Sequence, residues 1–517
     1  MPPHAPESFA PTRIDPVATS ASEIIGGPLG RHAASAARTA RSAWQPAAAV
    51  LVGLSSLTVA LGFLQKAHCF TTGWNNPDQF WHACYSDLPV SAGLGHAMPY
   101  LSGAPHLDQP VVTGTVMWLV GLAVPDVTLM ARQQWYFALW AVLVTVIVMA
   151  LVAVTAASVP RAPWRAAQIA LSPVLVLAGL ISVDLLGVLL ASVALLAWGR
   201  NKIYLAGLFM GLAISARSYP LVLLVAIGLL AVRSGRMGAW ARLAGTTLVT
   251  CLAVSLPFLL INADGLLSVY RGWWRSVPSY GSLWMVSSLL GRGLGDRVTT
   301  LVIVGWLAAL IVGALFALSM DRRPTVAEVS LVMLVIVVVT GKAMPVQAGL
   351  WLLPLIALVG LKWRDYLIWA GVEATYFISV WLYIAGLSKP ERGLPMGIYI
   401  GSLLLRVIAW GYVLVQVWRV AAARPAALSP ERAEREQEQA HEPEELGRDR
   451  AELGQDQAEL GQDQAELGQD QAPDEREQQE EPAEPDQEPA EAEQDEEVDS
   501  LAGPMAGAPD LVIVRVS

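Results

Sequence analysis

The sequence predicts an all-α integral membrane protein: a polytopic bundle of about 10 to 13 transmembrane helices, a large first extracytoplasmic loop and a disordered acidic C-terminal tail. Of its 517 residues, 54% are hydrophobic and 15% are charged, whereas soluble domains carry about 25% charged residues. Its mean hydropathy is +0.47. Long apolar runs recur from residue 46 onward, and acidic residues gather near the C-terminus.

The charge is unevenly distributed along the chain. Residues 431–500 hold 28 acidic and 5 basic side chains, whereas the rest of the chain holds 29 basic and 16 acidic ones. The formal net charge of −10 therefore describes the tail, and the membrane body is basic, as expected of a protein that faces anionic lipid headgroups. Membrane lipids are the expected surroundings, and no nucleic-acid partner is expected.

Three regions follow from this pattern. Residues 1–44 are rich in Ala, Ser, Pro and Arg and are predicted to be a flexible cytoplasmic N-terminus. Residues 45–424 form the predicted membrane domain, in which the run at 46–65 is a signal anchor and residues 66–110 are the first extracytoplasmic loop. Residues 425–517 form the predicted cytoplasmic tail.

The tail contains the heptapeptide AELGQDQ three times in residues 451–471, after a degenerate copy, EELGRDR. A period of seven suggests a coiled coil, but such a seam needs two apolar positions per heptad, and here only one Leu is strongly apolar. Each repeat also holds a Gly, which costs a helix about 1 kcal/mol relative to Ala. The tail is therefore predicted to be disordered.

Two predicted helix pairs are interrupted by charge, at Asp184 and at Arg217–Pro220. Such breaks are tolerated at membrane depth only where they face protein or a wet cavity, so they indicate a polar cavity in the outer half of the bilayer. Basic residues at alternate turns support the predicted topology: Arg200, Lys202, Arg233, Arg236, Arg242, Arg322, Arg323, Lys362 and Arg364. Arg161 and Arg165 conflict with it, so that either the run at 111–125 does not cross the membrane or the charge rule fails there.

The first loop holds two cysteines, Cys69 and Cys84. An oxidising compartment favours a disulfide between them, which would contribute roughly 3 kcal/mol in the chain-entropy model. Two free thiols are the alternative. A zinc site made of both cysteines with His68 and His82 matches no usual ligand spacing.

Asp87 lies just after the second cysteine and before Leu88-Pro89. One interpretation is a general base held in place by the disulfide, and the other is a loop Asp that caps a short helix. Asp78 and Asp108 are rival carboxylates in the same loop. The loop has no DxD pair, so no metal is indicated, although Asp78 and Asp87 together could hold one weakly.

Several segments resemble those of a known family. They are Asp78-Gln-Phe-Trp-His-Ala-Cys-Tyr-Ser-Asp-Leu-Pro89, Leu171-Ser-Pro-Val-Leu with Val183-Asp-Leu185, Gly211-Leu-Ala-Ile-Ser-Ala-Arg-Ser-Tyr-Pro220, Tyr280-Gly-Ser-Leu-Trp284, Thr340-Gly-Lys-Ala-Met-Pro-Val-Gln347 and Leu350-Trp-Leu-Leu-Pro354. In this order they resemble actinobacterial glycosyltransferase family 87, part of the C-type membrane glycosyltransferase superfamily, over residues 45 to 420. That family includes polyprenyl-phosphate-mannose-dependent mannosyltransferases.

The resemblance implies transfer of a sugar, mannose, from a polyprenyl-phosphate donor to an acceptor hydroxyl of a glycan or glycolipid. The transfer would occur on the outer face of the plasma membrane, with inversion and without a cofactor. Carried over by motif, Asp87 is the general base. Arg217 is the first candidate to bind the leaving phosphate, and Lys342, Arg271 and Arg275 are weaker ones.

Other interpretations of these residues stay open. Arg217 could instead form a structural ion pair with Asp184, and Asp184 could be a supporting carboxylate or a helix cap. Three tryptophans, Trp273, Trp274 and Trp284, could stack on a sugar or belong to an interfacial aromatic belt. Glu373 lies within an apolar helix, where an interior hydrogen bond is expected. The sequence departs from the family pattern at 108–110, 183, 341 and 344.

The rival class is a transporter or flippase for a lipid-linked or anionic substrate, because secondary transporters also bind substrates at broken helices. The two halves of the chain show no internal repeat, and the longest polar segment of the membrane domain lies outside, which counts against this class. A scaffold whose acidic tail recruits partners fits the tail but not the charged helix breaks.

Overall fold

The computed structural model describes residues 17, 44–92, 98–101, 107–423, 500–508 and 510. In this part of the chain there are α-helices and short 3-10 turns but no strand. The helices are α1 Trp44–Gln65, α2 Ala67–Thr72, α3 Asp78–Trp81, α4 Asp87–Ser91, α5 Val111–Leu122, α6 Leu129–Ser158, α7 Ala167–Ala170, α8 Pro173–Ala178, α9 Asp184–Gly199, α10 Ile203–Ala216, α11 Pro220–Arg233, α12 Met237–Arg275, α13 Leu283–Leu289, α14 Arg297–Ser319, α15 Val326–Val339, α16 Gly349–Val359, α17 Trp363–Ser388 and α18 Met396–Ala422.

Six helices among the described residues are long and apolar enough to cross a membrane: α1, α6, α12, α14, α17 and α18. Six shorter apolar helices lie among them: α5, α9, α10, α11, α15 and α16 with its leading 3-10 turn. These helices form because lipid offers no hydrogen-bond partners, so the backbone N–H and C=O groups of an apolar run must bond to each other within the run. The predicted all-α polytopic membrane fold is confirmed.

Small residues allow α10 and α12 to pack closely. Gly207 and Gly211 lie four residues apart on α10, and a Cβ at either would lie 2.6 Å from the Cβ of Thr246 or Thr250 on α12. This spacing of small residues is typical of tight helix pairs in membranes. Farther along, α12 bends at Asn262, whose backbone is not helical, and its last turns reach the region of the first loop.

One end of the bundle collects basic residues. Gln168 donates to the carbonyl of Leu361 at 2.6 Å, and Arg233 donates to that of Ala317 at 2.9 Å. Ser500 donates to the carbonyl of Ser158, the last residue of α6. The ends of α6, α11, α14 and α16 therefore lie together, and we call this end, with Arg165, Arg200, Arg233, Arg323 and Lys362, the basic end. The opposite end carries Asp87 and is called the Asp87 end.

Helix α5 does not cross the bundle. It begins at the Asp87 end, where Thr113 donates to the carbonyl of Ala216 at 2.7 Å. Its 12 residues extend about 18 Å, less than the ~30 Å of a bilayer core. The next helix, α6, starts near the first loop, since Gln134 donates to the Phe70 carbonyl at 2.8 Å, and it ends at the basic end. Arg161 and Arg165 therefore follow a helix that runs from the Asp87 end to the basic end. This removes the conflict between these two arginines and the predicted topology.

The last part of the chain packs on the basic end. Leu501 and Met505 are buried, with 3% and 1% of their surface exposed. Asp510 pairs with the fully buried guanidinium of Arg233, with Nε to Oδ1 at 2.5 Å and Nη2 to Oδ2 at 3.0 Å. Residues 500–508 and 510 accordingly belong to the same compact unit as the described residues of the membrane domain.

The predicted tail thus differs from the structure at its end. A single tail was expected over 425–517, but residues 500–508 and 510 are held by apolar burial and by the Arg233 ion pair. The local sequence LAGPMAGAPD has few charges, unlike the acidic repeats before it. The predictions for the N-terminus before residue 44 and for 425–498, with the repeats at 451–471, lie outside the described residues.

Candidate functional site at the Asp87 end

The first loop is fastened by a disulfide between Cys69 and Cys84, with their Cα atoms 5.8 Å apart. The bond connects α2 to the segment that leads into α4, and both cysteines are buried. Of the two alternatives for these cysteines, the structure therefore has the disulfide. Because neither is then a thiolate, the zinc site made from both cysteines is excluded in this state.

Asp87 is the first residue of α4, and its neighbour Ser86 fixes that helix. The Ser86 hydroxyl donates to the carbonyl of Leu180 at 2.7 Å and accepts a hydrogen bond from the Leu88 amide at 3.2 Å. The Asp87 amide donates to the carbonyl of Ile181 at 2.8 Å. The cap is therefore Ser86, while Asp87 stands one position later with its carboxylate free of the capping role, beside the start of α9.

The Asp87 carboxylate accepts a hydrogen bond from the Tyr85 hydroxyl at 2.5 Å. Burial raises the pKa of Asp87; the bond from Tyr85 opposes this rise, the charge of Asp184 adds to it, and the cations Arg217 and Lys66 oppose it. The charges of Asp184, Arg217 and Lys66 thus act on this carboxylate. A raised pKa makes a carboxylate a stronger proton acceptor.

Lys66 also belongs to the site, although the sequence does not predict it. Its side chain is fully buried just after α1. The Lys66 Nζ lies 3.4 Å from the Ala83 carbonyl and 5.1 Å from the centroid of the Phe377 ring. Burial lowers the pKa of Lys66 to about 7, against the opposing charge of Asp87. Its position directly after an apolar run resembles that of an ordinary flanking lysine, so only the fold distinguishes it.

Arg217 and Asp184 meet at the break between α10 and α11. Arg217 Nε lies 2.5 Å from Asp184 Oδ1, and Nη1 donates to Gln109 Oε1 at 2.5 Å. Asp184 also accepts from Ser182 and, at 3.2 Å, from the indole of Trp351. Among the described residues these contacts occupy Nε and Nη1, and Arg217 keeps 16% of its side chain exposed, which leaves Nη2 for a further acceptor.

The other predicted cations contact different residues. Lys342 is buried and donates to the Trp274 carbonyl at 2.5 Å, with its Nζ 5.4 Å from the centroid of the Trp273 ring. Burial lowers the pKa of Lys342. Arg271 is half-exposed and pairs with Asp264 at 2.7 Å, and Arg275 is the last residue of α12. These cations thus surround the end of α12, while the pair at the α10–α11 break is nearer to Asp87.

A buried ion pair holds the segment that carries Lys342. Glu373 on α17 accepts two bonds from Arg406 on α18, both at 2.9 Å. Arg406 also donates to the carbonyls of Met344, at 2.5 Å, and Pro345, at 2.9 Å. The indole of Trp410 donates to Glu373 at 2.6 Å. The sequence predicts an interior hydrogen bond for Glu373, but it does not identify Arg406 as the partner.

Aromatic rings line the region beside Asp87. The Tyr85 ring lies 4.6 Å from that of Trp381, which also stacks on Phe80 at 5.7 Å. Tyr219 stacks on Trp351 at 5.0 Å. Rings of this kind can pack on the apolar face of a sugar. Of the predicted tryptophans, Trp284 donates to the Thr340 carbonyl at 2.9 Å, and Trp273 and Trp274 are partly exposed at 40% and 52%.

The rival carboxylates have other neighbours. Asp78 lies 2.7 Å from His68 and 3.2 Å from His82, and Asp108 precedes Gln109, the partner of Arg217. The charges of Arg217, Lys66 and Asp184 act on the Asp87 carboxylate. The arrangement offers a base, a guanidinium with a spare donor and aromatic walls, which suits proton abstraction beside a leaving phosphate.

Comparison with known proteins agrees with this chemistry. Residues 110–341 match the family model of glycosyltransferase family 87. The matched segment contains Asp184, Arg217, Arg271 and Arg275, whereas Asp87 precedes it and Lys342 follows it directly. No curated protein matches the chain. The predicted resemblance to this family is confirmed over residues 110–341, and the family indicates a membrane glycosyltransferase.

Proposed function

We propose that this chain transfers mannose from a polyprenyl-phosphate donor to a hydroxyl of a glycan or glycolipid, on the outer face of the plasma membrane, with inversion at the anomeric carbon. The observation that carries the proposal is the Asp87 carboxylate, held on α4 by Tyr85 under the influence of Arg217 and Lys66. It combines a proton acceptor and fixed cations in one region.

In this scheme Asp87 takes the proton of the acceptor hydroxyl as its oxygen bonds to the anomeric carbon. The bond from that carbon to the phosphate oxygen breaks, and the electron pair leaves with the polyprenyl phosphate. Arg217 Nη2 binds the developing negative charge, while Asp184 and Gln109 orient the guanidinium. One displacement at the carbon inverts its configuration, and no cofactor enters the step.

The proposed orientation rests on charge. Since cytoplasmic loops carry an excess of Lys and Arg, the basic end is assigned to the cytoplasm and the Asp87 end to the outside. The disulfide between Cys69 and Cys84 supports this orientation, because disulfides persist in oxidising compartments. The C-terminal tail is then cytoplasmic, since its end is docked on the basic end.

The experiment measures transfer of radiolabelled mannose from polyprenyl-phosphate-mannose by membranes that contain wild type, Asp87→Asn or Asp126→Asn at equal abundance. Asp126 is an exposed partner of Arg132 and serves as the matched control. We expect label in glycan or glycolipid with wild type and Asp126→Asn and almost none with Asp87→Asn, which keeps the shape but not the basicity of the side chain.

One other result would reassign the base, and another would overturn the proposal. Equal transfer by Asp87→Asn would remove Asp87 from the role of base and shift attention to Asp78 and Asp108. No transfer by any form, together with substrate flux across liposomes that contain the purified protein, would favour the transporter or flippase class.

A further inference from the structure

The first loop brings together two imidazoles and a carboxylate. His68 Nε2 lies 2.7 Å from Asp78 Oδ2, and His82 Nδ1 lies 3.2 Å from Asp78 Oδ1. One ligand atom from each of the three residues lies within 4.8 Å of the other two. Ligand atoms around a tetrahedral zinc ion are about 3.3 Å apart, given bonds of about 2.0 to 2.1 Å. The spacing of the three ligand atoms therefore suits one ion, once the two stacked imidazole rings turn so that both nitrogens point at it.

The backbone around this cluster is fastened independently of any ion. His68 precedes Cys69, and His82 lies two residues before Cys84, so the disulfide holds the two histidines near each other. Their rings stack with centroids 3.5 Å apart. Asp78 begins α3 and shares one turn with His82. Such preorganisation lowers the entropy cost of collecting ligands from one loop.

We propose that His68, Asp78 and His82 bind one divalent transition-metal ion of the zinc class. Two imidazoles with one carboxylate suit zinc and its neighbours, whereas magnesium and calcium prefer sets of oxygen ligands. The side chains are 36%, 39% and 47% exposed in the order His68, Asp78, His82, so water or an acceptor group can reach a fourth position. The two cysteines, joined in a disulfide, supply no thiolate.

The rival arrangement is a metal-free triad in which both imidazoles donate to the Asp78 carboxylate. His82 Nδ1 also lies 3.1 Å from the Asp78 carbonyl, a contact that metal binding through this nitrogen would replace. The two arrangements differ in a measurable way. A metal site takes up one equivalent of zinc and needs all three side chains, whereas the triad takes up none.

The bound ion would join α2 to α3 and brace the part of the loop that leads to Asp87. In this arrangement Asp78 is a ligand and not a rival base. The inference does not depend on the proposed sugar transfer, because metal uptake is measured without substrate.

The test uses the full-length protein in detergent, purified with a tag that contains no histidine. Zinc is titrated against a chromophoric chelator with wild type, His68→Asn, Asp78→Asn, His82→Asn and, as control, His441→Gln in the tail. We expect one equivalent in wild type and the control, and at least tenfold weaker binding in the three loop variants. Stoichiometric binding that all loop variants retain, or no binding by wild type, would overturn the site.

A second measurement needs no variant and therefore keeps the proposal testable if the loop variants fail to fold. Wild type is treated with diethyl pyrocarbonate, with and without one equivalent of zinc, and modified histidines are located by mass spectrometry. Protection of His68 and His82, but not of His441, supports the site. Equal modification of His68 and His82 with and without zinc contradicts it.

Discussion

The guanidinium of Arg217 lies 2.5 Å from the carboxylate of Asp184 and joins the break after α10 to the first residue of α9. Asp184 is almost fully buried, at 2% exposure, while Arg217 keeps 16%. Both interpretations of Arg217 are therefore compatible: it forms an ion pair through Nε and retains Nη2 for another acceptor. The donor phosphate is the acceptor that we propose.

Replacing Arg217 with Lys should weaken sugar transfer strongly. Lysine keeps the charge but cannot contact Asp184, Gln109 and a phosphate through one planar fork. A charge-assisted hydrogen bond contributes roughly 1.5–3 kcal/mol, so we expect kcat/KM for the lipid-linked donor to fall about 10- to 100-fold. Steady-state kinetics with varied donor checks this.

The control for this change is Arg132→Lys, in an exposed ion pair with Asp126. We expect its kinetics to match wild type. If Arg217→Lys also kept wild-type kinetics, the residue would be only structural, and Lys342 would become the next candidate for the phosphate.

Replacing Lys66 with Met should change how stability depends on pH. The pKa of Lys66 is about 7 in the folded protein and 10.5 when unperturbed, so between these values the unfolded chain binds more protons. Stability from this group therefore rises as pH increases from about 7 to 10.5 and is lost as pH falls back through that window. We expect the thermal midpoint of wild type, relative to Lys66→Met, to rise between pH 7 and 10.

Lys202→Met, at an exposed position on the basic end, is the control and should run parallel to wild type across this range. A constant difference between wild type and Lys66→Met would show that Lys66 does not change protonation in this window.

The sequence predicts the helices well because each apolar run must satisfy its own backbone in lipid. It also marks the charged breaks at Asp184 and Arg217. The sequence leaves open whether α5 crosses the membrane. The answer depends on which residues lie beside the two ends of α6, and these residues, such as Phe70 and Ser500, are distant in the sequence. The docking of residues 500–510 is equally hidden, since a short apolar segment after a long acidic tail carries no periodic signal.

The site is predictable only in part, for a similar reason. Asp87, Arg217 and Asp184 stand in recognisable motifs, but Asp184 and Arg217 are 33 residues apart, and Gln109 meets Arg217 from another segment. Lys66 and Arg406 lie beside or within apolar runs that look like ordinary spans. Their importance comes from partners, the Asp87 charge and the Glu373 carboxylate, which only the folded chain brings near.

The buried pair of Glu373 and Arg406 should be sensitive to the loss of one partner. Glu373→Leu or Arg406→Met alone leaves an uncompensated buried charge, which costs roughly 3–5 kcal/mol. The double variant removes both charges, and we expect it to recover most of that stability. Reversible unfolding in mixed micelles measures these differences.

Glu391→Leu, in an exposed turn, is the control and should have little effect. Single and double variants of equal stability would argue against the pair as a coupled unit. Because Arg406 also binds the carbonyls of Met344 and Pro345, amide exchange in 341–349 should quicken in Arg406→Met.

The disulfide should protect the first loop. Cys69→Ser with Cys84→Ser should lower the free energy of unfolding by roughly 3 kcal/mol in the chain-entropy model, given a sequence separation of 15 residues. Alkylation of unfolded, unreduced wild type should label only Cys251, the free cysteine. Labelling of all three cysteines would contradict the disulfide, and Cys251→Ala serves as the control for stability.

The end of the chain should stabilise the bundle through Arg233, whose guanidinium is fully buried against Asp510. Removal of residues 499–517 exposes the apolar contacts of Leu501 and Met505 and leaves Arg233 without this partner. The loss of a partner from a buried pair costs about 3–5 kcal/mol, but Asp510 is one-third exposed, so we expect the lower part of this range.

Deletion of the repeats at 451–471 keeps the docking segment and should leave the thermal midpoint unchanged. A synthetic peptide of residues 499–517 should restore the truncated protein, because the same contacts can form between separate chains and binding to the folded state raises its stability. If truncation and repeat deletion had the same thermal midpoint as wild type, the docked segment would contribute nothing to the fold, and the burial of Arg233 would need another partner.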